Sequence, residues 1–318
     1  MSVVAISIHQ GKTGRMRPLN VLRDRSAVAD LLALCFRGTM EGEAHFLNQA
    51  VTTPGGGSVP LFGYVWEENG KVIGNVSLIP FNHKGQKTIL IANVAVHPDH
   101  RRRGIACSLT ERAVRHAHQR HVDSIWLHVR DDNPSVIKMY TELGFRERTR
   151  RTYWQAVPGL HATQQDVGFT ISPRHAHFWP QQRAWLERIY PDEMSWYRSP
   201  NWDVLSPGIW NWLYRLFVDY DVRQWAALKD GRLQGVLAWL PTYRAADLLW
   251  VAIALDAAGD ALTTLLLHAR RHLAHRRALF VEYPGGQAVE AFLAAGFSSQ
   301  RTLIWMRADG ATQAGINA

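Results

Sequence analysis

The chain has 318 residues, of which 47% are hydrophobic and 20% charged. That length fits two domains, and the composition excludes bulk disorder. A net charge of +9 turns attention to anionic partners: nucleic acid, a membrane surface or an anionic cofactor.

The basic residues are dispersed apart from clusters at Arg101–Arg103, Arg146–Arg151 and His268–Arg277. A nucleotide-like cofactor accounts for the first, and the others read as solvated faces, so nucleic acid is not expected. Only two cysteines occur, Cys35 and Cys107, both within expected helices. This argues against a disulfide framework and for a reducing compartment. No apolar run approaches the roughly 18 residues of a membrane span. The first residues lack the apolar core of a signal peptide, so the expected location is the cytoplasm. The 15 histidines lack ligand spacing with cysteines or carboxylates, and no metal site is expected.

In chain order, Met1 to Arg15 reads as a lead and Met16 to Asn20 as a first strand. Asp24-Arg25-Ser26 offers caps for a helix through Phe36, with Val28, Leu31, Leu32 and Cys35 on one face. Thr39 to Val51 reads as a second helix, and the Gly- and Pro-rich Thr52 to Pro60 as a loop. Leu61–Trp66 and Val72–Ile79 alternate around Asn69-Gly70, a strong hairpin signal. A central strand follows over Thr88–Val96.

Next comes the most informative stretch, Val94-Ala95-Val96-His97-Pro98-Asp99-His100-Arg101-Arg102-Arg103-Gly104-Ile105-Ala106. An apolar strand ends at Pro98. A helix begins at Ile105, with Ile105, Leu109, Ala113 and Ala117 at helical spacing. Gly104 stands where the chain turns closely into that helix. Helix starts carry unpaired N–H groups and a partial positive charge. Three arginines beside such a start suit a pyrophosphate. Farther on, Ile125–Val129 reads as a strand. Pro134 starts a helix carrying Val136, Ile137 and Tyr140, Gly144 ends it, and Thr152–Val157 is a last strand.

Arg101-x-x-Gly104-x-Ala106, followed by Asn133-x-x-Val136-x-x-x-Tyr140-x-x-x-Gly144-Phe145, resembles the acetyl-CoA signature of the GNAT superfamily of N-acetyltransferases. The likeness covers roughly Met16 to Trp154. It implies a mixed, mostly antiparallel sheet, splayed in the middle and flanked by helices. It also implies acetyl-CoA as acyl donor, with the pyrophosphate held by Arg101, Arg102, Arg103, Gly104, Ile105 and Ala106. By the same resemblance the pantetheine arm pairs with the backbone of Val94 and Val96 and meets Asn133. Tyr140 matches the tyrosine that protonates the departing thiolate; a phenol of pKa near 10 can serve a thiolate of pKa near 8.5. Some family members carry a glutamate base on the central strand where this chain has Ala92. An exposed amine can lose its proton through a water chain; Glu41, Glu43, His128 and Asp131 are the alternatives, and in the family the first helices, here with Glu41, Glu43 and His45, form a wall of the acceptor site.

The second half repeats the first. Gly70-Lys71-Val72-Ile73-Gly74 returns 161 residues on as Gly231-Arg232-Leu233-Gln234-Gly235. Leu143-Gly144-Phe145 returns 152 residues on as Ala295-Gly296-Phe297. Between them Asp256-Ala257-Ala258-Gly259-Asp260 stands in place of the arginine turn, and Phe292 in place of Tyr140. Two aspartates at a helix start suit its dipole but repel a pyrophosphate. The fold class expected is therefore α/β (α+β): two tandem GNAT-like domains, 1–157 binding acetyl-CoA and catalytic, 158–318 a degenerate copy with a structural or acceptor-site role. Ten of the 13 tryptophans lie after residue 160, as core or as pocket wall. The expected activity is acetyl transfer to a primary amine of a small molecule, by a monomer or homodimer. The alternatives are a protein or peptide amine as acceptor, or a non-catalytic acyl-CoA sensor.

Overall fold

The structure, a computed structural model, describes residues 14–36, 62–83, 85–159, 168–194, 202–208, 222–242, 246–257, 259–273 and 277–310. Among the expectations, the second helix over Thr39–Val51, the loop Thr52–Pro60 and the residues Glu41, Glu43 and His45 lie outside the described residues. The described residues fall into two compact units. The first draws on Met1–Val129, Asn133–Arg148 and Trp305–Ala318, the second on Arg130–Asp132 and Thr149–Ile304. A single cut after residue 157 thus marks the repeat in the sequence, whereas the compact units are discontinuous.

In the first unit, β1 (Gly14–Pro18), β2 (Phe62–Glu68), β3 (Lys71–His83) and β4 (Gln86–Val96) pair antiparallel in that order. β5 (Ser124–Arg130) joins β4 in parallel. The β2–β3 turn uses Asn69 and Gly70 at φ 50° and 75°, the left-handed pair that a tight hairpin requires. Helix α1 (Val21–Cys35) buries Val28, Leu31 and Leu32 against Val65 and Ala95. Its cap is Asn20, one turn earlier than Asp24: the Asn20 side chain accepts the Arg23 N–H at 3.1 Å. Asp24 instead sits buried inside the first turn, where its carboxylate accepts two guanidinium bonds from Arg17 at 2.6 and 2.9 Å. Arg17 also donates to Glu67 at 2.7 Å, so one guanidinium ties β1, α1 and β2 together. Helix α2 (Ile105–Gln119) buries Ile105, Leu109, Ala113 and Ala117, the stripe expected from spacing. A Cβ on Gly74 would stand 3.0 Å from Ile105 Cγ2 and 3.1 Å from Leu109 Cδ1, so glycine lets this helix settle on β3. Helix α3 (Pro134–Glu142) ends at Leu143, with Gly144 at φ 90° and Phe145 fully buried.

β6 (Arg146–Ala156) begins six residues before the expected Thr152. Its charged first half, Arg146–Arg150, hides the strand from any reading based on alternation.

In the second unit, β7 (Thr170–Pro173), β8 (Arg223–Lys229), β9 (Arg232–Leu240) and β10 (Ala246–Ile253) pair antiparallel. β11 (Ala278–Pro284) joins β10 in parallel, and β6 pairs antiparallel with β11 from Arg151↔Pro284 to Ala156↔Leu279. The helices are α4 (Trp179–Ile189), α5 (Asp260–His272) and the short α6 (Val289–Ala294); β12 (Ser298–Asp309) ends the described chain. Both halves therefore run in the same element order. The Asp230-Gly231 hairpin repeats the left-handed pair at φ 49° and 72°. A Cβ on Gly235 would stand 3.1 Å from Leu265 of α5, as one on Gly74 would from Leu109 of α2, and would also collide with Ile253. Trp239 is fully buried, Trp225 and Trp250 nearly so. Trp154 stacks on Phe292 at 4.7 Å, so these tryptophans are core.

Candidate functional site

β4 pairs with β5 only over Thr88–Leu90 and Ser124–Trp126. Beyond Leu90 the edge of β4 opens, and it is this edge that ends in the basic turn. Between Asn75↔Ala95 and Ser77↔Ala92, β3 advances two residues and β4 three, which is a bulge. Asn93 occupies it at φ 53°. Buried Asn75 donates to the Asn93 carbonyl at 2.9 Å, and Asn93 Nδ2 donates to Ser77 Oγ at 3.3 Å. This asparagine–serine set is a shaping feature that the sequence reading missed. Its one signal is two asparagines inside apolar strands.

The bulge fixes which way Val96 faces. The His97 N–H donates to the Ile73 carbonyl at 2.8 Å, so Val96 stands opposite Gly74 in a pair without hydrogen bonds between them. Its N–H and C=O then point to the open edge. The carbonyl accepts Arg101 Nε at 3.2 Å and the Cys35 thiol at 3.4 Å. Val94 is half-buried one turn of the pleat earlier.

After β4, Pro98–His100 forms a 3-10 turn. Arg102 and Gly104 then take left-handed backbone at φ 64° and 75°. Gly104 is the N-cap of α2, which has no side-chain cap and no acidic residue in its first turn. A Cβ at Gly104 would meet no atom within 4 Å, so the approach to the first-turn N–H groups is open. Ile105 is buried and roots the helix, and Ala106 is half-buried behind the turn. The arginines divide their work. Arg101 braces the strand end, Arg103 pairs with Glu68 and His100, and Arg102 makes no ion pair among the described residues. An uncapped helix start with basic side chains and small backbone is chemically an anion receptor. This corner fits the diphosphate of a coenzyme A ester.

Asn133, exposed, is the N-cap of α3; its carbonyl accepts the Val136 and Ile137 N–H groups at 3.1 Å each, and its side chain is bonded by the Ser135 hydroxyl at 3.1 Å. Tyr140 lies seven residues on, 5% exposed, edge-on to Phe145 at 6.0 Å. Burial raises its pKa well above the ordinary phenol value and keeps it in the protonated, donor form at neutral pH. Of the candidate bases, Ala92 is buried and carries no carboxylate. His128 packs on Trp305 at 4.9 Å, and Asp131 is exposed. The described residues contain no cluster of three metal-ligating side chains and no helix long and apolar enough to cross a membrane.

A mixed sheet that opens along one central strand, with a basic glycine turn leading into an uncapped helix, is the arrangement that the motifs lead one to expect. Residues 27–145 match the model of the acetyltransferase (GNAT) family. The [ribosomal protein bS18]-alanine N-acetyltransferase of Escherichia coli strain K12 is 40% identical over 68 residues, which are 21% of this chain and 46% of that protein. The match thus spans about half of that relative. A tandem GNAT protein from the clavulanic acid biosynthesis pathway superposes with TM-score 0.50 at 18% identity, over 93% of this chain and 98% of that one. A GCN5-related N-acetyltransferase from Sphaerobacter thermophilus gives 0.56 at 15%, over 94% and 96%. At these identities the structures establish the fold: two GNAT-like copies in tandem.

Proposed function

We propose that this chain is an acetyl-CoA-dependent N-acetyltransferase acting on a primary amine, with its working site in the first copy. The carrying observation is the corner at Arg101–Ala106, where an uncapped helix start without a first-turn acid adjoins an open strand edge. The first-turn N–H groups and Arg102 hold the diphosphate, while Arg101 keeps the turn fixed to Val96. The Val94–Val96 edge receives the amide-rich arm as an added strand, and Asn133 lines its far side. Acetyl-CoA, when bound, supplies an activated acyl group. The Val96 N–H, aimed at the open edge, is placed to polarise a carbonyl. Tyr140 stabilises the leaving sulfur. Because its pKa is raised, it does so as a hydrogen-bond donor before it gives up its proton fully. With no carboxylate at Ala92, the amine loses its proton to water.

The acceptor in this reading is a small-molecule amine. A protein amine is the second reading, favoured by the relative named for alanine acetylation on ribosomal protein bS18. The test is release of free thiol from acetyl-CoA with two panels, small primary amines and peptides bearing free N-termini. Turnover with the first alone supports the small-molecule reading, turnover with the second alone replaces it, and none with either sinks the transferase assignment.

A further inference from the structure

The basic turn carries its own counter-charge. Glu68, the last residue of β2, faces Arg103 with both carboxylate oxygens: Oε1 to Nη2 at 3.2 Å and Oε2 to Nη1 at 3.1 Å. His100 completes a triangle, its Nδ1 2.7 Å from Arg103 Nη1 and 3.4 Å from Glu68 Oε2. The Glu68 side chain is 11% exposed and that of Arg103 39%, so the carboxylate is seated while the guanidinium stays within reach of a ligand.

A carboxylate and a phosphate offer a guanidinium fork the same two-pronged acceptor. Arg103 can satisfy one of them fully at a time, and a seated carboxylate also repels a second anion nearby. The second copy bears on this. Glu68 corresponds there to Lys229, at the same place in the hairpin, and the turn that corresponds to the arginines carries Asp256 and Asp260. Where the turn reverses its charge, the hairpin position reverses too.

We propose that Glu68 is a built-in competitor for the donor's phosphates. It neutralises Arg103 in the free protein, is displaced from it by a bound diphosphate, and so holds the affinity for the coenzyme below what an unpaired Arg103 would give. The inference rests on the reading of Arg101–Ala106 as a diphosphate site.

The test is calorimetric binding of coenzyme A and of inorganic pyrophosphate to the full chain and to Glu68→Gln, Arg103→Gln and the double variant. Glu68→Gln is expected to bind both probes about five-fold more tightly, the scale of one part-exposed ion pair. In the Arg103→Gln background the same change brings no gain. Unchanged or weaker binding by Glu68→Gln overturns the proposal, because the carboxylate then merely positions Arg103. An equal gain without Arg103 also overturns it, as a general charge effect. If Glu68→Gln tightens pyrophosphate while coenzyme A binds to neither form, the competition stands and the donor assignment falls. Binding of neither probe by any form overturns both. Glu68→Ala, with melting checked by circular dichroism, guards against a folding artefact and must move affinity in the same direction.

Discussion

β4 leaves its parallel neighbour after Leu90, and β10 leaves its own after Leu249; a 3-10 turn and a helix follow in both copies. From there the two corners differ. Neither α2 nor α5 has a side-chain cap, but in the first copy Arg102 and Gly104 are left-handed and α2 opens without an acid in its first turn. In the second Gly259 has φ −82°, and Asp260 fills the first turn of α5. The later helices carry aromatic pairs of like geometry that differ by one hydroxyl: Tyr140 meets Phe145 at 6.0 Å, and Phe292 meets Phe297 at 5.9 Å, both edge-on. The scaffold thus survives without the chemistry. Strand splay, hairpin and helix seat are needed for folding and are kept in both copies. The bare helix start and the phenol are features that folding alone does not require.

If this contrast is the right one, moving second-copy features into the first should remove function and spare the fold. Gly104→Asp places a carboxylate at the helix start. Coenzyme A affinity should fall by at least about a hundred-fold, as like charges in contact demand, while the melting temperature falls only modestly: a side chain at φ 75° is strained, and the dipole's preference for an acid there offsets part of that cost. Unchanged affinity in calorimetry would dissolve the contrast. Tyr140→Phe copies Phe292. Turnover should drop by about a hundred-fold with coenzyme A affinity unchanged, read from steady-state rates beside calorimetry. The reverse change, Phe292→Tyr, buries a hydroxyl in a fully buried site and should cost about 1–3 kcal/mol in urea unfolding without creating activity.

Gly74→Val tests the shared scaffold. Its side chain meets Ile105 and Leu109, and overpacking of this kind costs about 1–3 kcal/mol, seen as a lower melting temperature. The smallest effect is on acid stability. Arg17 holds the Asp24 and Glu67 carboxyls below the usual carboxylate range. Their contribution is present above the unfolded pKa of about 4 and is lost as pH falls through the lowered folded values. Arg17→Gln should therefore flatten the decline in stability below about pH 4 in acid titrations.

Much of this was legible in the residues. Asn69-Gly70 announced its hairpin because φ above zero leaves few other residue choices, and Gly231 followed from the repeat. Ile105, Leu109, Ala113 and Ala117 announced their helix by spacing. The cap of α1 was misread because Asp24 has the residue type of a cap but serves the Arg17 ion pair, while Asn20 sits where a strand was expected to end. The bulge at Asn93 was not legible, since it depends on the register between β3 and β4 and not on either strand. Nor was the pairing of Glu68 with Arg103, which lie 35 residues apart and meet only because the hairpin and the turn share one end of the sheet.

The central claim is one working corner per chain. Its most direct measurement is the calorimetric stoichiometry of acetyl-CoA on the wild-type chain and on Gly104→Asp. The account predicts one site per chain in the wild type and none in the variant. Two sites, or one site that survives Gly104→Asp, would contradict it and give the second copy the binding role denied to it here.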